Sequence, residues 1–496
     1  MTKGISRRAF LSLAAAGFAA PVWANPPAKS LRPVLRPKGL GKVSAPGIDT
    51  LVRNAKVSGK LSVAVARVGS GEVLESFGAQ SAQPPASVAK ALTALYALHY
   101  LGGGHRFQTK VVATGPIKNG VVQGDLVLRG GGDPTLDTDG LADLARTLKA
   151  TGVRGVSGRF LVWGGAMAQV ARIDRKQPDH AGYNPAVSGL SLNYNRVHFE
   201  WKRSASGYVT TMDARTNKYR PAVSVAKMKV SNRDLPVYTY KAVGKEDHWT
   251  VARSALANGG ARWLPVRQPE LYAGDVFRTM ARSHGIQLKA PKITQSAPRG
   301  TVMATHQSPD LRTILKGMLK YSTNITAEMV GMAASHARGA QVGSLKASAN
   351  AMNAWAAETL GMRHAALVDH SGLGEASRMR ADELASVLAR AGQHEVLKPI
   401  LKDIALRDGN GRVNKAHPLK VKAKTGTLYF VSALAGYISG PNNTELAFAI
   451  FGADVDARAR LIGPDRERPK GSRTFNSRSK KLQQKLIERW AAVYRA

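Results

Sequence analysis

The stretch Pro84–Gly104, PPASVAKALTALYALHYLGGG, combines a helix signature with two polar residues at its start. Two prolines precede it, leucines recur three residues apart, and a run of glycines ends it, which predicts a helix beginning at Ala86 or Ser87. Residues three apart share one face of a helix, so the Ser87 hydroxyl and the Lys90 amine should lie within hydrogen-bonding distance. The N-terminus of a helix also favours negative charge that develops near Ser87.

Two further motifs follow downstream. Ser322-Thr323-Asn324 falls at a predicted break between two helices, and Lys424-Thr425-Gly426-Thr427 lies on a predicted strand. Together with Ser87-x-x-Lys90 they form an ordered S-x-x-K, S-x-N, K-T-G set. This set is typical of β-lactamases and penicillin-binding proteins, in which the serine of the first motif is a nucleophile.

The first two motifs also occur elsewhere in the chain, and their sequence surroundings distinguish the copies. S-x-x-K recurs at Ser224 and Ser477, and S-x-N recurs at Ser191 and Ser348. Ser224 and Lys227 lie in an alternating apolar stretch that is typical of a strand, where residues three apart point to opposite faces. The S-x-x-K copy at Ser477 follows the K-T-G motif, so it stands in the wrong order for this set. The S-x-N copy at Ser348 is better explained by packing inside a helix than by a role in the site. Contact of Ser191 with the site is left open. K-T-G-T occurs once.

The first 24 residues are predicted to be an export signal. The twin arginine Arg7-Arg8 is followed by an Ala-rich apolar stretch and a small-x-small site at Val22-Trp23-Ala24, which indicates a twin-arginine signal peptide. The apolar run is too short to cross a bilayer, so we expect the signal to be removed and the mature chain to reside in the periplasm. Residues 25–50 are predicted to be a basic, Pro- and Gly-rich lead-in.

The charge balance of the chain is strongly basic. The 496 residues include 72 Lys and Arg against 33 Asp and Glu, a formal +39, which becomes +36 when Lys3, Arg7 and Arg8 leave with the signal. Such a charge attracts polyanions, and we expect an anionic wall or membrane surface as a partner, the alternative being a solvated face without one. Because the chain is predicted to be exported, we do not expect nucleic acid as a partner. Basic residues crowd the tail: Arg466, Arg468, Lys470, Arg473, Arg478, Lys480, Lys481 and Lys485.

The absence of cysteine and the order of predicted elements limit the chemistry and the fold. Without Cys, thiol catalysis and thiolate metal sites are excluded. A hairpin and a helix open the chain, and helices, three strands and a last helix close it. We therefore predict one α/β (α+β) domain, residues 51–111 and 300–496, with an antiparallel sheet flanked by helices. A large, mostly β insertion interrupts it over 112–299, with its strands concentrated around 200–266.

From about residue 60 onwards the chain resembles the exported D-alanyl-D-alanine carboxypeptidases/endopeptidases, the DacB-type class C low-molecular-mass penicillin-binding proteins. The resemblance rests on the three motifs and on GDLVLRGGGDPTL, GYNPAVSGLSLNYN, PELYAGDVFR and VDHSGLG. The 231 residues between Lys90 and Ser322 match the insertion of this family, and the resemblance implies the serine β-lactamase/DD-peptidase fold. The chain departs from the family at His370, where Gly is usual, and at Gly374, where Ser is common.

The resemblance implies cleavage of a D-Ala-D-Ala bond in peptidoglycan stem peptides through an acyl-enzyme, with penicillins as inhibitors and no cofactor or metal. The implied catalytic residues are the nucleophile Ser87, the base Lys90, the proton relay Ser322, the substrate-positioning Asn324 and the cation Lys424. Thr425, Gly426 and Thr427 are the implied substrate-binding residues, and the backbone N–H groups of Ser87 and Thr427 form the implied oxyanion hole. A serine β-lactamase or esterase and a non-catalytic peptidoglycan-binding protein remain alternatives. The balance of carboxypeptidase and endopeptidase activity is left open.

Overall fold

The computed structural model describes residues 45–340, 342–392, 396–462 and 469–495. The predicted signal peptide lies outside the described residues, as do residues 25–44 of the predicted lead-in and Arg466 and Arg468 of the basic tail. The described residues belong to one compact unit.

Ten helices and twenty strands are numbered here in chain order over the described residues. The helices are α1 (Ile48–Ala55), α2 (Ala89–Leu101), α3 (Thr138–Ala150), α4 (Pro269–Ser283), α5 (Leu311–Tyr321), α6 (Asn324–Ala337), α7 (Leu345–Leu360), α8 (Ala381–Gly392), α9 (Val455–Ala459) and α10 (Ser472–Tyr494). The strands are β1 (Lys60–Arg67), β2 (Val73–Phe77), β3 (Gln108–Ala113), β4 (Ile117–Lys118), β5 (Val121–Val122), β6 (Leu126–Arg129), β7 (Gly155–Val156), β8 (Phe160–Trp163), β9 (Arg196–Ser204), β10 (Gly207–Asp213), β11 (Ala226–Ser231), β12 (Tyr238–Val243), β13 (Glu246–Ala252), β14 (Gly259–Pro265), β15 (Lys292–Ile293), β16 (Thr301–Gln307), β17 (Lys402–Asp403), β18 (Lys420–Leu428), β19 (Val431–Ser439) and β20 (Glu445–Ala453).

A six-stranded sheet brings the two ends of the described chain together. Its strand order is β17–β18–β19–β20–β1–β2, and every neighbouring pair is antiparallel. The predicted hairpin forms β1 and β2, and the three strands predicted near the end form β18, β19 and β20. The mixed α/β fold with an antiparallel sheet and flanking helices is therefore confirmed.

Both faces of this sheet are covered, and side-chain size differs between them. Along β20, Leu446, Phe448 and Ile450 pack in the cluster that contains α1 and α10, whereas Ala447 and Ala449 pack in the cluster that contains α2 and α5 to α8. This follows from the alternation of side chains along a strand. Because the alanines leave room, helix α8 lies directly against β1 and β20.

Residues 108–307 contribute the strands of four further sheets. The largest has the order β15–β8–β6–β3–β16, and it contains both parallel and antiparallel pairs. The stretch 200–266 is predominantly β, as predicted, while α3 and α4 pack on each other nearby.

The predicted domain limits stay a prediction. Strands β3 and β16, which lie at the predicted limits of 112 and 299, pair with each other in the largest of these sheets.

The last helix, α10, buries one apolar face. Leu482, Leu486, Ile487 and Trp490 are buried, whereas Val493, which the 3.6-residue spacing also predicts on this face, is 36% exposed. The buried stripe continues instead through Tyr494, four residues after Trp490, which packs against the same cluster. Among the described residues, no helix is both long enough and apolar enough to cross a membrane.

Candidate active site

Ser87 lies in a single 3₁₀ turn, Ala86–Val88, that leads directly into α2. The α-helix therefore begins at Ala89, two or three residues later than predicted, although the turn keeps Ser87 and Lys90 on one face. Lys90 Nζ donates a hydrogen bond to Ser87 Oγ at 3.0 Å. The predicted contact between the two polar side chains of the S-x-x-K motif is present.

Lys90 is fully buried and makes two further hydrogen bonds. Its Nζ donates to Asn324 Oδ1 at 2.7 Å and to the Ser371 carbonyl at 2.8 Å. Burial lowers the pKa of Lys90 to about 8, against the raising effect of the Glu328 and Asp369 carboxylates. A lysine with this pKa is partly neutral near physiological pH, and a neutral amine can accept a proton from a serine.

Two buried carboxylates hold the loop that accepts from Lys90. Glu328 of α6 accepts hydrogen bonds from the backbone N–H groups of His370 (2.9 Å) and Ser371 (3.0 Å). Asp369 accepts from the N–H groups of Gly372 and Gly374, each at 2.6 Å. Burial raises the pKa of both carboxyl groups. Both carboxyl groups thus hold the loop in its conformation, and the loop fixes the position of the Ser371 carbonyl that accepts from Lys90.

Ser322 and Lys424 form the second half of the site. Ser322 ends α5 in the left-handed conformation, with φ of 61°, and this turn presents its side chain at the predicted break between the helices. Lys424 Nζ donates to Ser322 Oγ at 2.9 Å and to the Thr425 carbonyl at 2.7 Å. The pKa of Lys424 is lowered to about 6, mainly by burial and in addition by the positive charges of Lys90 and Lys402.

Asn324 links Lys90 to residues in the middle of the chain. Its Oδ1 accepts from Lys90, while its Nδ2 donates to the Tyr183 carbonyl at 2.9 Å. Tyr183 belongs to the GYNPAV segment, so the inserted residues contribute directly to the site. Both ends of the Asn324 amide are engaged by the protein itself, and the predicted contact with substrate stays a prediction.

Gly426 allows strand β18 to approach the Ser87 turn closely. A Cβ atom at this position would lie 2.8 Å from the Pro85 carbonyl oxygen and 3.1 Å from the Ser87 backbone nitrogen. Thr425 and Thr427, on either side of it, are both exposed. The structure therefore brings all eight predicted site residues to one place: Ser87, Lys90, Ser322, Asn324, Lys424, Thr425, Gly426 and Thr427.

The sequence profile of a known family covers most of the chain. The D-Ala-D-Ala carboxypeptidase 3 (S13) family matches residues 45–463. The chain belongs to this family. It is accordingly a serine peptidase, and the predicted class of enzyme is confirmed.

Individual relatives agree with this assignment. The S13 peptidase described here is 28% identical over 455 residues to the D-alanyl-D-alanine carboxypeptidase of Actinomadura sp. (strain R39), covering 84% of this chain and 82% of the relative. It is 23% identical over 404 residues to the D-alanyl-D-alanine carboxypeptidase DacB of Haemophilus influenzae, covering 77% and 82%. The crystal structure of penicillin binding protein 4 (dacB) from Haemophilus influenzae has the same fold, with a TM-score of 0.71, 20% identity and coverage of 89% of this chain and 99% of that one.

In this S13 peptidase the other copies of the motifs lie in different surroundings. Ser224 Oγ bonds to Asp275 at 2.9 Å, whereas Lys227 Nζ pairs with Glu246 at 2.8 Å, so the second S-x-x-K pair is not in contact. Buried Ser191 donates to the Ser188 carbonyl and accepts from Asn195, and Ser348 is buried in helix α7. Ser477 lies on exposed α10 surface. None of these contacts involves the Ser87 site.

His370, a departure from the family, has a packing role. Its ring is buried and lies over Gly331, where a Cβ would come within 2.2 Å of the imidazole. Its Nε2 is 2.7 Å from Ser348 Oγ, and burial lowers the pKa of His370 to about 3, which keeps the ring neutral. The larger side chain is thus accommodated by a glycine on the neighbouring helix.

Sequence reasoning did not identify Glu328, Asp369, Ser371 or Tyr183 as part of the site. One feature of the sequence could have indicated Glu328: it is the only acidic residue in the otherwise mostly apolar stretch NITAEMVGMAA. Ser371 and Tyr183 contribute backbone carbonyls, which no side-chain pattern could have revealed. Across the described residues, no group of three or more His, Cys, Asp or Glu is arranged to hold a metal ion.

Proposed function

We propose that this S13 peptidase is an exported DD-peptidase that cleaves the D-Ala-D-Ala bond of peptidoglycan stem peptides through an acyl-enzyme on Ser87. The observation that carries the proposal is the 3.0 Å hydrogen bond between Ser87 Oγ and the buried amine of Lys90. The carboxypeptidase names of its relatives support the substrate class. The twin-arginine pattern supports export.

Acylation begins with the transfer of the Ser87 hydroxyl proton to Lys90 Nζ. Ser87 Oγ then forms a bond to the carbonyl carbon of the penultimate D-Ala, and the backbone N–H groups of Ser87 and Thr427 stabilise the oxyanion. General-base catalysis of this kind contributes about 10²–10⁴-fold to the rate. Replacing Lys90 by Ala should slow acylation by a factor in that range.

The leaving D-Ala must receive a proton on its amine nitrogen, and its carboxylate must be bound by the enzyme. Ser322, held by Lys424 at 2.9 Å, relays a proton to the amine nitrogen as the carbon–nitrogen bond breaks: its own proton goes to the amine, and the proton that Lys90 took from Ser87 replaces it. The terminal carboxylate binds beside Thr425, Thr427 and Lys424. A bound carboxylate raises the pKa of Lys424 again, because an opposite charge favours the ammonium form. Water then releases the acyl group from Ser87.

A serine β-lactamase is the second candidate, and the site gives it less support. Rapid hydrolysis of a penicilloyl-enzyme needs a base that activates water. The carboxylates that act on Lys90, Glu328 and Asp369, are buried and hold backbone N–H groups, so neither is placed for that task. We therefore expect penicillin to acylate Ser87 and to leave slowly. The crystal structure of the Haemophilus influenzae protein complexed with a β-lactam supports the binding of β-lactams.

The test is to incubate the purified mature chain with penicillin and follow its intact mass over hours, with peptide mapping of the adduct. A stable adduct on the Ser87 peptide, together with release of D-Ala from a stem pentapeptide, is the expected result. Ser87→Ala should abolish both, and the matched variant Ser224→Ala should retain both. Loss of the adduct within seconds would instead indicate a β-lactamase, and an unmodified wild-type chain would refute the proposal.

A further inference from the structure

Residues 171–184 form a loop without helix or strand that reaches the Ser87 site. Backbone hydrogen bonds between Val170 and Val187, at 2.9 and 2.7 Å, close this loop at its base. Near its end, the Tyr183 carbonyl accepts the 2.9 Å hydrogen bond from Asn324 Nδ2. Because no helix or strand pairs the backbone of the loop, the position of that carbonyl depends on the other hydrogen bonds that the loop makes.

Arg267, which lies between β14 and α4, makes such hydrogen bonds with its side chain. Its Nη1 donates to the carbonyls of Ala171 at 3.0 Å and of Asn184 at 2.6 Å, and its Nη2 donates to the Asp179 carbonyl at 2.9 Å. One guanidinium group therefore joins both ends and the middle of the loop, and its planar shape fixes the directions of the donors. The bond to Asn184 lies one residue from the Tyr183 carbonyl, so it restricts the position of that carbonyl.

The sheet of β11, β13 and β12 holds Arg267 in turn. The backbone N–H of Arg267 donates to Asp247 Oδ2 at 2.7 Å, and the hydroxyl of Tyr240 donates to Asp247 Oδ1 at 2.9 Å. Asp247 is fully buried on β13, and Arg267 is only 9% exposed. Burial lowers the pKa of Arg267 to about 10, so the guanidinium keeps its charge at neutral pH. A series of hydrogen bonds thus leads from this sheet through Arg267 and the loop to Asn324.

We propose that Arg267 is a positioning residue of the Ser87 site. It holds the loop so that the Tyr183 carbonyl keeps the Asn324 amide turned with its Oδ1 towards Lys90. The amide satisfies both contacts in only one orientation, because Nδ2 is its donor and Oδ1 its acceptor. The inference rests on the proposed acylation of Ser87, and it gives the inserted residues a part in that reaction.

The test is Arg267→Lys, which replaces the planar fork by a single ammonium group. Its acylation by penicillin should be roughly ten- to hundredfold slower, since a displacement of about 1 Å at a catalytic group can cost about 10²-fold in rate. With a neutral ester, the acid limb of the pH profile, where the rate falls as Lys90 gains a proton, should also lie about one pH unit lower. Asn324 accepts a hydrogen bond from Lys90, and losing this acceptor disfavours the ammonium form.

A double-mutant cycle with Asn324→Ala separates positioning from stability. If Arg267 acts through Asn324, Arg267→Lys should slow acylation by less than about twofold when Asn324→Ala is already present. Arg215→Lys is the matched control, because among the described residues its guanidinium bonds to Asp213 and Glu200 and not to the loop. It should leave the acid limb unchanged, even where the thermal midpoint falls.

The alternative to positioning is a role of Arg267 in stability alone. Additive losses in the cycle, or a wild-type rate and pH profile in Arg267→Lys, would refute the inference. The same shift of the acid limb in Arg215→Lys would refute it as well. Arg267→Gln is the second variant, and failure of both Arg267 variants to fold would assign the residue to stability alone. A wild type that forms no penicillin adduct would refute the proposed function itself.

Discussion

Lys90 and Lys424 are both buried, yet the proposed reaction requires opposite protonation states of them. Lys90 must be neutral to accept the Ser87 proton, whereas Lys424 must be cationic to hold the substrate carboxylate. The pKa of Lys90 is about 8 and that of Lys424 is about 6. The carboxylates Glu328 and Asp369 raise the pKa of Lys90, whereas the positive charges of Lys90 and Lys402 lower that of Lys424.

These values predict a bell-shaped pH profile for the second-order rate constant of penicillin acylation. The fraction of neutral Lys90 decreases below about pH 8 and the fraction of cationic Lys424 decreases above about pH 6, so the two changes offset each other between these values. The rate should therefore fall below about pH 6 and above about pH 8. Because both conditions must hold in the free enzyme, the maximum should lie midway, near pH 7. Stopped-flow measurement of acylation across pH 5–10 checks this.

A neutral ester substrate without a carboxylate separates the two limbs of that profile. It does not need the Lys424 charge, so its alkaline limb should disappear and the midpoint of its acid limb should lie near the Lys90 pKa of about 8. An acid limb missing from both substrates would mean that Lys90 is not the base.

At the scale of elements, the site forms where a strand, a 3₁₀ turn and a helix break meet. Strand β18 passes beside the Ser87 turn, and the break between α5 and α6 presents Ser322 to Lys424. Periodicity predicted these elements because each depends on neighbours a few residues away. It could not predict that β18 passes within van der Waals contact of the turn, which only Gly426 allows.

Gly426→Ala should therefore slow penicillin acylation strongly. The added methyl would lie 2.8 Å from the Pro85 carbonyl, so the strand or the turn must shift. A displacement of the order of 1 Å at a catalytic group can cost about 10²-fold in rate. The acylation rate and the thermal midpoint should both be measured.

Gly317→Ala in helix α5 is the matched control, because a Cβ there meets nothing within 4 Å. It should leave the acylation rate unchanged and raise the stability slightly, since alanine favours a helix. An unchanged rate in Gly426→Ala would contradict the importance of this close approach.

At the scale of the whole molecule, the formal charge of +36 that remains after Lys3, Arg7 and Arg8 leave with the predicted signal predicts long-range attraction to anionic surfaces. We expect the mature chain to bind purified peptidoglycan sacculi, and binding should weaken at least about tenfold between roughly 20 and 300 mM NaCl, because salt screens exposed charges. Co-sedimentation measures it. Penicillin-treated protein is the control: binding that survives acylation of the site is due to the surface charge. Binding that does not change with salt would contradict an electrostatic origin.

The sequence by itself determined the kinds of elements, their order and the three motifs in it. It also separated Ser87 from Ser224, although Ser224 lies in a bend just before β11 and not within the predicted strand. The tertiary structure alone decided what makes these residues reactive. Lys90 meets Asn324 across 234 positions of chain, and the burial and charges that set the pKa of a lysine depend on such distant contacts.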